Sequence, residues 1–382
     1  MGRPELLDTR RLGLVLQKRI SRGDFLRTMG AGVVAGSTLS VLACQPNTMA
    51  QSSGGGGSGP EEKALNLYNW SEYVAKSTIP NFEKQTGIQV TQDYFSSNEE
   101  LLAKLQAGGT GYDVIVPSDY MISIMIKSDV LEPLDMSRIP NFKNVGDNYK
   151  GLSYDPTNEY SVPYQWGTTG ILYNKKVLGT LDASWDPMWD PSNKGKIGML
   201  NDERETPGAA LYKLGYTVNS KDQEQLQGAE AELKKQKPLL RGYFDSTQNR
   251  ASVINGDLQL GHVFSGDAFL ALSSNEDLDY IIPEPAATRW TDNMAIPKGA
   301  EHPDNAHKFI NYILGAKTGA TLSNYTYYNT PNEAALPMID GALKKLPGYQ
   351  LGRSVFDRLQ IIEDVGAATR DYSNLFTSVK SS

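Results

Sequence analysis

Between residues 65 and 118, short apolar runs alternate with amphipathic ones, and this rhythm constrains the chain more than any other feature. Residues 65–70, 88–95 and 113–118 read as strands, and 78–86 and 99–107 as helices closed by Gly87 and Gly108. A β-α-β-α-β order predicts an α/β fold, a mostly parallel sheet with helices on both faces. Ligands then sit beyond the carboxyl ends of the strands, where the loops at Asn69 and Ser118 lie. The same style continues with strands expected at 196–200, 258–264 and 278–282 and helices at 223–235 and 303–314. With 382 residues, the chain has room for two such lobes behind a leader.

The leader reads separately. Arg10, Arg11, Lys18, Arg19, Arg22 and Arg27 precede a small-residue apolar stretch at 29–43, the order of an export signal. Cys44, the only cysteine, follows it, and Val41-Leu42-Ala43-Cys44 is similar to the lipobox at which bacterial lipoproteins are acylated. Residues 21–27 are similar to a twin-arginine export motif, with Gly23 in place of the second arginine. The leader is therefore 1–44, and the Gln-, Asn-, Ser- and Gly-rich residues 45–60 read as a flexible tether, too polar to bury a core. A lipid-bearing Cys44 leaves the mature chain without disulfide or thiol chemistry. The leader carries seven basic and three acidic residues, and the rest of the chain thirty basic against forty-one acidic. So acidic a body argues against a nucleic-acid partner and suits a cationic ligand.

Motifs for catalysis are scarce. His262, His302 and His307 are scattered, and the last two are too far apart to share a helix face as metal ligands; surface or helix-start positions are expected for them. No Gly-x-Ser-x-Gly elbow, Walker A or Gly-x-Gly-x-x-Gly is present beyond the Gly-rich tether. Aromatic residues and carboxylates instead share the loops that follow strands: residues 69–73, 117–120, 201–205 and 290–293. Aromatic faces attract ammonium groups and pack methylenes, while carboxylates give charge-assisted hydrogen bonds to amines. Such a slot suits a linear organic cation. Trp70 or Trp290 alone would read as packing, and Glu72 alone as a helix-start acid; the four loops together carry the functional reading.

Five segments, 68–73, 112–118, 162–167, 292–297 and 363–367, occur in the order found in the periplasmic spermidine/putrescine-binding proteins of polyamine ABC importers, and the chain resembles that family from about Leu65 onward. The resemblance implies a two-lobed periplasmic-binding-protein fold with the ligand cleft between discontinuous lobes, 61–167 plus 291–335 and 168–290 plus 336–382. It implies ligand-binding roles for Trp70, Ser71, Glu72, Tyr73, Ser118, Tyr120, Asp202, Glu205, Trp290, Asp292 and Tyr328. Phe264 stands where an indole is expected and Ile362 where a Gln is expected, so a donor at each is missing. It further implies a monomer in the periplasm, anchored by lipid, that binds polyamines without catalysis, cofactor or metal and delivers them to a membrane permease. Two other classes fit less of the sequence: a ferric-ion binder using Tyr325, Tyr327 and Tyr328, and a secreted hydrolase using Asp202 and Glu205 as its carboxylate pair.

The anchor is directly testable. Cys44→Ser should move the protein from the membrane to the soluble periplasmic fraction, as followed by immunoblot; unchanged partition would count against lipidation.

Overall fold

The computed structural model describes residues 62–108 and 111–382. The export leader expected at 1–44, which ends at Cys44, and the tether expected at 45–60 lie outside the described residues. Eleven strands among the described residues belong to one curled sheet. In chain order they are β1 (Ala64–Trp70), β2 (Gln89–Phe95), β3 (Val114–Ile115), β4 (Leu131–Glu132), β5 (Ser161–Asn174), β6 (Ile197–Leu200), β7 (Leu240–Phe244), β8 (Leu260–Phe264), β9 (Leu278–Ile281), β10 (Ala287–Pro297) and β11 (Leu359–Gln360).

The main path runs β2-β1-β3-β10-β5-β8-β6-β7. At one end β1 pairs in parallel with β2 and β3, and at the other β6 pairs in parallel with β7 and β8. These are the parallel units that the alternation predicts. Leu65 and Leu67 of β1 are buried, whereas β2 is largely exposed and polar, as suits an edge strand. The helix Thr78–Thr86 ends at Gly87, whose φ of 73° places it in the left-handed region, with its N–H donating to the Glu83 carbonyl. Elements expected at 223–235 and 303–314 form as the helices Gln223–Gln236 and Pro303–Ile313.

Two long strands stitch these ends together, and neither is visible as a strand in the sequence. The first half of β5 pairs antiparallel with β10, from Ser161↔Ala295 to Thr168↔Arg289. Its second half pairs antiparallel with β8 and β9. Both strands are buried along almost their whole length, so they lack the in–out alternation that marks a half-buried strand. Pro163, Gly167 and Gly170 further disguise β5. Gly167 is required by a close approach: a Cβ there would lie 2.7 Å from the Trp290 ring and 2.7 Å from the Ser265 hydroxyl. Gly266 is needed in the same way, since its Cβ would meet the Tyr328 ring at 2.5 Å. Both glycines seat aromatic rings over the sheet crossing.

The histidines differ from the surface positions expected for them. His262 is fully buried on β8, edge-on to Trp185 with ring centroids 5.3 Å apart. His302 caps the start of the helix Pro303–Ile313 and His307 is its fifth residue, and both are buried, the former bonded to Asp113 and the latter accepting from the Asp135 N–H. His262 serves packing, its ring nitrogens having no hydrogen-bond partner, while His302 and His307 also bond locally. No helix among the described residues is long and apolar enough to cross a membrane.

Candidate ligand-binding site

A cavity of about 850 Å³ opens where β5 and β10 cross between the two parallel units. All twelve of the ligand contacts expected from sequence line it: Trp70, Ser71, Glu72, Tyr73, Ser118, Tyr120, Asp202, Glu205, Phe264, Trp290, Asp292 and Tyr328. Ile362 also lines it, presenting an apolar side chain where an amide would have offered hydrogen bonds.

Asp292 lies at its floor. The register of β10 against β5 slips between Asp292 and Asn293, an irregularity that re-aims the side chain beside it. Its carboxylate accepts from the Ser118 hydroxyl at 2.6 Å and the Tyr73 hydroxyl at 2.7 Å. Ser118 is itself clamped by Asn98, which accepts from its backbone N–H and donates to its hydroxyl. Burial pushes the Asp292 carboxyl up to about 7 against the pull of those two hydroxyl donors.

Next to it, Asp119 is buried with its carboxylate accepting from the backbone N–H groups of Tyr120 and Thr291. Desolvation outweighs those bonds and raises it to about 7. On the other side of the cavity Glu205 accepts from the Thr169 hydroxyl at 2.8 Å, and burial together with the charge of Asp202 lifts it to about 8. Asp202 caps the helix Glu205–Lys213 by accepting from the backbone N–H groups of Arg204 and Glu205, which fixes its position at the rim. Behind the rim, Tyr120 donates to Glu99, a carboxyl raised to about 7 by burial and then by the charges of Asp202 and Glu203.

The walls are aromatic. Trp290 meets Phe264 edge-on at 5.5 Å and Tyr328 at 5.3 Å between ring centroids, and Tyr328 meets Tyr73 at 5.2 Å. Trp70 donates its indole N–H to the Val116 carbonyl and tilts against Phe95, so its ring is fixed at the mouth. These contacts hold ring faces and edges in place at low entropic cost when methylenes pack against them.

Sequence reasoning placed Asp119 in a candidate loop without giving it a ligand role, and missed Arg250 and Asp267. Arg250 donates to Asp267 at 2.5 Å and to Glu72 at 3.0 Å, so Glu72, expected to meet a ligand amine, already holds a guanidinium. Asp267 follows the predicted strand at 258–264 directly, the position that marked the other loops, and was legible on that criterion. Arg250 sits within a helix, where position alone gives no signal. The three tyrosines considered for iron diverge: Tyr325 and Tyr328 line the cavity, but Tyr327, at φ 64°, packs into a different core cluster from Tyr328.

Residues 78–350 match the family model described as bacterial extracellular solute-binding protein. The chain belongs to that family. Among its relatives, the putrescine-binding periplasmic protein SpuD of Pseudomonas aeruginosa is 35% identical over 91% of this chain and 98% of its own. The spermidine/putrescine-binding periplasmic protein of Escherichia coli is 32% identical over 84% of this chain and 92% of its own. A solved Listeria monocytogenes chain assigned to a spermidine/putrescine ABC transporter is 36% identical, with a TM-score of 0.81 over 84% of this chain and 99% of that one. The curled sheet with flanking helices is thus the solute-binding fold of this family.

The raised carboxyls make a stability prediction. Asp119, Glu205 and Asp292 bind protons more tightly folded than unfolded, so ionising them opposes folding progressively from about pH 4 until pH exceeds their folded values of about 7 to 8. His262, held down to about 3 by burial, acts in the opposite sense and lowers stability only as pH falls below about 6.5. Thermal denaturation of the ligand-free protein should therefore show stability falling from pH 6.5 to 8, with Asp292→Asn flattening part of that slope. An unchanged slope in the variant would show that Asp292 ionises normally.

Proposed function

We propose that this protein captures linear polyamines in the cavity and delivers them to the membrane permease of an ABC importer. The observation that carries the reading is Asp292: a buried carboxylate with only hydroxyl donors, walled by Trp290, Tyr73 and Tyr328. An ammonium is the group such a site lacks. A carboxylate stripped of water costs several kcal/mol unless a cation or strong donors replace the water. The relatives' printed names, putrescine- and spermidine-binding, point to the same ligand class.

In this reading one ammonium meets Asp292, another meets Glu205 and Asp202, and the methylenes between them pack on Trp290, Phe264, Tyr73 and Trp70. Tyr120, Ser71 and Ser118 complete the polar rim. Lobes of residues 61–167 plus 291–335 and 168–290 plus 336–382 close about β5 and β10 near Gly167 and Trp290. The closed form, a monomer tethered in the periplasm through lipid at Cys44, is the one that docks on the permease. No covalent chemistry or cofactor takes part.

Charge should outrank chain length in selectivity. A monoamine keeps the methylene packing but leaves one set of carboxylates desolvated without a cation, a cost larger than about 0.8 kcal/mol per methylene. Calorimetric titration at fixed ionic strength should show putrescine binding at least about a hundredfold more tightly than butylamine, a gap of about 2.7 kcal/mol. Asp292→Asn should cost about 2–4 kcal/mol of putrescine binding. Equal binding of the two amines would overturn the polyamine reading.

A further inference from the structure

Arg250 places a cation of the protein's own inside the acidic slot. It projects from the helix Ser246–Ile254 and is only 15% exposed. One guanidinium nitrogen meets Asp267 of the neighbouring helix Ser265–Ser274, and the other meets Glu72 in the loop after β1. The Tyr328 hydroxyl, 3.4 Å from Asp267, stands on the side facing Trp290 and Asp292.

The acids follow one another along the slot. The Tyr328 hydroxyl lies 3.4 Å from Asp267 and its ring 5.2 Å from that of Tyr73, which donates to Asp292; Asp119 accepts from the N–H of Thr291, the residue before Asp292; and Asp202 accepts from the N–H of Glu205, whose own carboxylate accepts from Thr169 on β5, the strand paired with β10. Glu72 and Asp267 therefore lie at one end, Asp292 in the middle, and Glu205 with Asp202 at the other. Among the described residues, only the first end holds a basic side chain in salt-bridge contact: Arg250. Asp292 has hydroxyl partners, Glu205 a hydroxyl, and Asp202 backbone N–H groups.

We propose that Arg250 sets the number of ammonium groups the site accepts, occupying the position of a third one and so selecting diamines over triamines. The inference rests on the polyamine reading. Two unfilled acidic stations, Asp292 with Asp119 beside it and the Glu205–Asp202 pair, remain for two ammonium groups. A triamine must bring its last ammonium against the guanidinium, where like charges repel and Glu72 and Asp267 are already held. A guanidinium also holds its place well, since its planar fork satisfies two carboxylates at once.

The test is calorimetric titration of the wild type, Arg250→Gln and Arg250→Lys with putrescine, cadaverine and spermidine at fixed ionic strength, after each variant is shown to melt cooperatively. The wild type should bind putrescine or cadaverine at least about tenfold more tightly than spermidine. Arg250→Gln should raise spermidine affinity relative to putrescine by about tenfold or more, because Glu72 and Asp267 become free for the third ammonium. Arg250→Lys, which keeps the charge, should hold the wild-type order. Should Arg250→Gln fail to fold with Asp267 uncompensated, Arg250→Gln/Asp267→Asn leaves no buried unpaired charge. That double variant still frees Glu72, and it should shift the ratio in the same direction. A ratio within about twofold of wild type in the neutral variants would overturn the role of Arg250 while leaving polyamine binding intact. A wild type that binds none of the three amines would overturn both readings together.

Discussion

Asp292 is buried at the centre of the cavity with hydroxyl hydrogens, from Ser118 and Tyr73, where a fully desolvated carboxylate would ordinarily require a cation. Much of the surrounding architecture maintains that condition. The register slip in β10 aims the side chain inward, Asn98 fixes Ser118, and the Tyr164 hydroxyl bonds the Tyr73 carbonyl so that the Tyr73 ring stays in place. Asp119 and Glu205 repeat the arrangement with backbone N–H groups and a hydroxyl. Protons occupy these sites near neutral pH because burial penalises the charged form more than neutral donors stabilise it. The ligand-free site is thereby left unfilled in charge terms, a state that a polyamine relieves and a neutral sugar or an anion would not.

The same region is where the two parallel units meet. β10 pairs with β3 of one unit, β5 with β8 of the other and the two with each other, and the ring of Trp290 lies against Gly167 on the neighbouring strand. A ligand gripping Asp292 on β10 and Glu205 at the head of the helix Glu205–Lys213 would touch both sides of that crossing. The link between Glu72 and Arg250 already spans it, from the loop after β1 to the helix after β7. Occupancy and closure are coupled in this picture because the charged groups that bind the ligand are distributed over both sides.

Much of this was legible in the sequence, for identifiable reasons. The parallel units announced themselves because β1 and β3 are short apolar strands separated by helices with glycine stops. Trp70, Glu72, Ser118, Tyr120 and Asp202 were legible because they sit at or directly after strand ends, where an α/β sheet binds its ligands, whereas Trp290 and Asp292, expected in a loop, lie within β10. The crossover strands were hidden since full burial erases alternation and Pro163, Gly167 and Gly170 resemble turn residues. Their glycines exist to admit the Trp290 and Tyr280 rings, contacts between residues more than a hundred positions apart. Arg250 was hidden for a related reason: its partners are set by how one helix faces a distant loop, which local pattern does not encode.

The central claim is that cation binding takes over carboxyls that hold protons in the free protein. Titrating putrescine at pH 7 in two buffers of different ionisation enthalpy measures the protons exchanged on binding. The account predicts a net release on the order of one proton per putrescine, diminishing as pH rises past about 8, where the carboxyls are already ionised. Binding with no proton exchange anywhere between pH 6.5 and 8 would show that these carboxylates are charged before the ligand arrives, and would contradict it.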